Sequence, residues 1–257
     1  MIPEIIHHRI FNLFELELTT LLICILIAFL GGIVRGFTGF AGSLFMLPCY
    51  TLLLGPIAGM NIIILSGLVG VIFTVRRAIK YAQKKITLFY SAGLCIGAFM
   101  GLNFLFKNEI SQITFYMGVF IIVGTLVLFS GWRYNGPQTR LTSLVFGWVT
   151  GIFSGFFGVP TGPFTGIYFF SSPVEKNIIQ SNIQLVIICT ILSFFSYFIF
   201  VQGFDAKFLA IGLMLSAPLS VGLKVGIFLF DRVSEAYFRY ITYAILFSLG
   251  IALIFNS

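Results

Sequence analysis

Residues 141–174 read LTSLVFGWVTGIFSGFFGVPTGPFTGIYFFSSPV and carry no charge. As one helix they would run about 51 Å at 1.5 Å per residue, against a hydrocarbon core of roughly 30 Å. Their centre, GFFGVPTGPFTG, cannot stay helical: proline removes a donor and clashes with the preceding turn, and glycine weakens helix interiors. The length fits two half-helices that meet near mid-membrane and return better than two full crossings. Lipid offers nothing to the freed backbone groups, so such a break must face protein or a wet cavity.

The first half of the chain is written the same way. An apolar run at 18–34 is followed by RGFTGFAG at 35–42 and SLFMLPCYTLLL at 43–54. One constant shift sets Phe37, Thr38, Gly39, Phe40 and Gly42 on Phe153, Ser154, Gly155, Phe156 and Gly158. It also sets Gly31 on Gly147 and Asn61-Ile62-Ile63 on Asn177-Ile178-Ile179, and leaves Arg35 opposite Gly151. With a few inserted residues, Phe104-Leu105-Phe106 meets Phe228-Leu229-Phe230. Internal repeats of this kind are the usual construction of secondary transporters. The layout expected is an interfacial segment at 1–16, a first repeat at 17–132, a cytoplasmic linker at 133–140 and a second repeat at 141–257.

Composition agrees. The 257 residues are 59% hydrophobic and 9% charged, where a soluble domain carries about a quarter charged residues. Charge-free runs at 18–34, 57–75, 86–106, 110–132 and 177–204 can each span as a helix. None shows the period-two alternation of a membrane β-barrel. The fold class is therefore an all-α polytopic membrane protein of two homologous halves. Each half opens with a broken, re-entrant helix followed by three transmembrane helices. A returning hairpin plus three crossings leaves each half odd, so the halves are inverted. Loop charges favour this by a modest margin: Arg76, Arg77, Lys80, Lys84 and Lys85 mark one loop as cytoplasmic, and the positive side switches between halves. Both termini then lie outside.

The breaks bring together groups suited to an oxyanion. Helix ends present unpaired N–H groups and partial positive charge. Thr38 and Ser43 flank one break, and Ser154, Thr161 and Thr165 the other. Gly39, Gly42, Gly155, Gly158 and Gly162, with Pro160, leave backbone amides open to close approach. Asn61, Gln180, Ser181 and Asn182 come early in the helices that follow. Arg35 adds a permanent forked cation, and a charge within a span is a functional candidate. Lys224 is read as a snorkelling residue near a helix end, and Tyr90, Trp132 and Tyr134 as interface anchors.

Other classes are disfavoured by what the chain lacks. The only histidines, His7 and His8, precede the first span, and the four cysteines show no CxxC spacing. Neither a metal site nor a catalytic dyad is expected within the membrane, and no cofactor is implied. All eight acidic residues fall at loops or span ends, which argues against a proton pump or cation channel. The net charge of +7 lies mostly in loops and sets topology rather than marking a nucleic-acid binder.

RGFTGFAG with Pro48 downstream, and GFFGVPTGPF, resemble the paired glycine-rich signatures of the sulfite exporter TauE/SafE family. The resemblance covers nearly the whole chain; Ala41 and Ser43 stand where many members carry further glycines. It implies transport of sulfite, related sulfur oxyanions or organosulfonates across a bacterial inner membrane. It carries a substrate-site role onto Arg35, Thr38, Gly39, Gly42, Ser154, Gly155, Gly158, Pro160, Thr161 and Gly162. The expectation is export of a small sulfur anion by alternating access, with the lipid bilayer as surroundings and a homodimer as an open assembly. An anion channel and an uptake permease coupled to an ion gradient are the alternatives.

Overall fold

The computed structural model describes residues 17–160, 163–172, 174–204, 206–230 and 232–257. The interfacial segment expected over 1–16 lies outside them, as do Thr161 and Gly162 of the second break. The described residues form helices and no strand. In chain order these are α1 (Leu18–Thr38), α2 (Gly42–Leu54), α3 (Pro56–Tyr81), α4 (Lys84–Leu105) and α5 (Ile110–Phe129). There follow α6 (Arg140–Phe156), α7 (Pro163–Phe169), α8 (Lys176–Tyr197), a π-helical turn (Phe198–Gln202), α9 (Ala206–Phe230) and α10 (Glu235–Phe255). Five of them are long and apolar enough to cross a membrane, or up to six if the two pieces of α3, bent by 62° between Ile72 and Thr74, form one span. Thr74 donates its hydroxyl to the Gly70 carbonyl at 3.2 Å, a back-bond that bends helices.

Both expected breaks are present and both are hairpins. Gly39 ends α1 in the left-handed region at φ 86°, which glycine adopts without a Cβ penalty. The chain then doubles back, and the Tyr50 hydroxyl donates to the Cys24 carbonyl at 3.1 Å. At the second break Gly158 takes φ 66°. The returning Tyr168 hydroxyl meets Ser143 at 2.7 Å, near the start of α6. That start is set by a capping box, with the Thr139 hydroxyl accepting from the Thr142 N–H.

The first hairpin departs from the expected pair of half-helices. α1 stays helical for 21 residues, about 31 Å and a full span. Gly31, Gly32 and Gly36 do not break it because each lies at a close contact that needs a missing side chain. A Cβ on Gly32 or Gly36 would strike the carbonyl of Leu219 or Leu223 in α9; one on Gly222 or Gly226 would strike the carbonyl of Phe29 or Ile33. The backbones of α1 and α9 therefore touch along interlocked GxxxG faces, the small-residue packing typical of membrane helices.

α4 and α6 make the same contact. Gly151 and Gly155 face the carbonyls of Leu94 and Ala98, while Gly97 and Gly101 face those of Trp148 and Ile152. Matching the two contacts corrects the shift read from the sequence. Gly36 corresponds to Gly155, Gly39 to Gly158 and Arg35 to Ser154, three residues along from the earlier register. In both pairs the helices run parallel.

Two other pairs run antiparallel. Along α3 and α8, Gly67 faces Ile191, while the Gln83 N–H beyond α3 donates to Asn182 Oδ1 at 2.7 Å. Along α5 and α10, Gly118 faces Gly250 and the Phe129 ring meets Tyr240 at 5.7 Å. Tyr90 is not an interface anchor: it is fully buried, bonded to the Thr150 hydroxyl at 2.8 Å. It packs against both arms of the second hairpin, α6 and α7, whereas Trp132 keeps an exposed ring.

Candidate functional site

Arg35 is the centre of the candidate site. It sits on the last turn of α1, where its carbonyl accepts the capping Gly39 N–H at 2.8 Å. Gly42 allows this seat, because a side chain there would strike Arg35 Cβ and the Gly31 carbonyl. The side chain is 6% exposed. Its Nε and Nη2 have no hydrogen-bond partner among the described residues. A buried guanidinium with unmade hydrogen bonds is costly, because a charged group left unsatisfied loses more than a neutral one. The arrangement is therefore suited to an anion rather than to packing alone.

Two cavities meet at this arginine. One, of about 20 Å³, holds roughly one water. It is walled by Phe40, Ser43, Met46, Ile63, Ile187 and Pro160. Residues of both breaks thus reach one spot, as the paired motifs suggested. The other cavity is about 330 Å³ and lies between α1, α3, α8 and α9. Its polar lining is Arg35, Thr74, Gln180, Ser181, Gln184 and Lys224. It reaches the surface at the exposed Lys224.

The expected residues divide between this site and the frame around it. Arg35, Ser43, Pro160 and Gln180 line the cavities. Thr38 spends its hydroxyl on the turn, donating to the Val34 carbonyl at 2.6 Å and accepting from the Ala41 N–H at 3.1 Å. Asn182 faces α4 instead of a cavity. Its Oδ1 accepts from the Gln83 N–H and from Thr87 Oγ1 at 3.0 Å, and its Nδ2 donates to Gln83 Oε1 at 3.1 Å. Gly155 serves the α4–α6 contact, and Gly158 packs on the Met60 sulfur. Asn61 and Ser154 are buried away from both cavities, each with an unpartnered oxygen.

Three residues of the large cavity were missed or misread. Lys224 is not merely a snorkelling residue; it faces the space that Arg35 lines. Gln184 donates its amide to the Gly39 carbonyl at 3.3 Å, and its Oε1 is unpartnered. It follows Gln180 by one helical turn, a spacing that puts both on one face. Thr74 looks unremarkable in sequence because only the bend of α3 turns it inward.

The model of the family described as Sulfite exporter TauE/SafE matches residues 24–253. The chain belongs to that family. No curated protein and no solved structure matches it. TauE/SafE proteins are a transporter family, and membership implies a membrane exporter-type transporter of sulfite or a related sulfur anion. The TauE/SafE match runs from Cys24 within α1 to Leu253 within α10 and takes in the turns of both hairpins.

Proposed function

We propose that this TauE/SafE protein exports a small sulfur oxyanion, sulfite or a close relative, by alternating access around Arg35. The observation that carries the reading is the buried guanidinium with free donors between two cavities. Its planar fork suits a trigonal or tetrahedral oxyanion. Gln180, Gln184 and Ser181 supply neutral polar groups beside it, and Lys224 a second cation near the opening.

The halves are read as inverted. The support is that corresponding helices α3 and α8 run antiparallel, as do α5 and α10. The bent end of α3, lined by Arg76 and Lys80, leads into Lys84 and Lys85. Under the positive-inside rule that end is cytoplasmic, so the large cavity opens inward. An anion then enters from the cytoplasm, and a negative-inside potential assists its exit by about 2.3 kcal/mol per charge per 100 mV. The apolar walls of the small cavity close the way beyond Arg35. A channel would need that way open, so alternating access is preferred.

Sulfite flux from proteoliposomes tests the assignment. Hydrogen bonds to a charged group contribute about 1.5–3 kcal/mol, so Arg35→Ala should cut flux roughly ten- to a hundredfold. Wild-type flux in that variant would remove the site.

A further inference from the structure

We infer that the fold holds a second anion-binding mouth on the opposite side, collapsed in this conformation, with Ser154 and Asn61 as its polar groups. The inference rests on the reading of the protein as a transporter with inverted halves. It starts from the correspondence set by the glycine contacts, in which Ser154 stands where Arg35 stands. The same contacts place Ala98 and Leu102 of α4 opposite Leu223 and Ile227 of α9, two walls of the open cavity. Aligning the starts of α3 and α8, Pro56 with Lys176, sets Asn61 opposite Ser181. It also sets Phe194 and Phe198 opposite Thr74 and Ala78.

The two sides differ in packing. Around Arg35 there is a cavity of about 330 Å³. At the matched positions of the other half, Asn61, Ala98, Leu102, Phe194 and Phe198 are each at most 3% exposed, and Phe99, opposite Lys224, is half-buried. Yet two polar atoms at these matched, buried positions, Ser154 Oγ and Asn61 Oδ1, have no partner. Buried hydroxyls and amides are normally bonded, and an orphan costs about 1–3 kcal/mol. Their exposure to water or to an anion in another conformation accounts for both. A hydroxyl and a carboxamide suit the release side: they bind an oxyanion more weakly than a guanidinium does.

The closure has a visible seal. Tyr197 stacks on Phe106 at 5.8 Å and meets Phe99 edge-on at 5.7 Å. Phe198 meets Phe106 edge-on at 5.7 Å. The Tyr197 hydroxyl donates to Asn103 Oδ1 at 3.2 Å, tying α8 to α4. The π-helical turn Phe198–Gln202 follows directly, and such turns are frequent at functional sites. Swinging the end of α8 away from α4 would part these rings and uncover Ser154.

The test is thiol labelling by a membrane-impermeant reagent applied to either face of vesicles holding the full chain. The probes are Leu102→Cys and, as a second position, Ser154→Cys, each read above the background of the four native cysteines. Labelling from the outer face should rise several-fold when sulfite is supplied inside to drive turnover. It should also rise in a Tyr197→Phe background without sulfite. Labelling from the inner face alone, or from neither face while Leu102→Cys still carries sulfite, would overturn the second mouth. Gln184→Cys, labelled from the inner face, separates the failures. If it reacts and is protected by sulfite, the Arg35 cavity binds sulfite whatever the outer probes do.

Discussion

Arg35 was legible as a candidate because a charge inside an apolar run has few structural excuses. Lys224, which lines the same cavity, was not, because it lies in a run that reads equally well as a snorkelling end. The cavity joins the two, and they should behave differently. Lys224 is exposed, so its effect is to attract anions to the opening, an influence that salt screens. Lys224→Gln is expected to raise the KM for sulfite about three- to tenfold with Vmax nearly unchanged, and Lys224→Arg to restore it. Measuring KM at low and high salt checks the cause: the wild-type protein should depend on salt and the glutamine variant much less. Asn182, by contrast, is a tie between α8 and the turn before α4. Asn182→Ala should lower thermal stability, because it strands the Gln83 N–H and the Thr87 hydroxyl, at about 1–3 kcal/mol for each buried orphan.

At the scale of elements, the helical runs and both glycine-rich breaks could be read directly, since hydropathy and helix-breaking chemistry act locally. Which glycine matches which could not. A chain this rich in glycine and phenylalanine offers several shifts that align a few residues, and the sequence register chose one that set Arg35 against Gly151. Contacts across helices choose another, because each glycine must meet a particular carbonyl. This gives an expectation specific to helix packing. Gly97→Ala and Gly36→Ala place a methyl against a backbone carbonyl that cannot move without parting two helices. Overpacking of this kind costs typically 1–3 kcal/mol. Both variants should melt several degrees lower in detergent. Unchanged melting would mean the helices are not in backbone contact.

For the molecule as a whole, the proposed inverted arrangement predicts that the two ends of the described chain face the same side. A reporter fused after Ser257 should be active outside the cytoplasm, and cytoplasmic activity would reverse the topology. The membership of the packed units could not be read from the sequence. α1 from the first half is locked to α9 from the second, and α4 from the first to α6 from the second. Each tight pair therefore draws on both ends of the polypeptide. Under the proposed alternating access, the bodies that rock are mixed ones, not the sequence repeats. Cutting the chain in the loop near Gly136 and making the pieces separately should leave each with bare glycine furrows facing lipid and marked for degradation. Made together in one cell, the pieces should assemble and carry sulfite. A gene broken in two at that point would thus encode an obligate heterodimer.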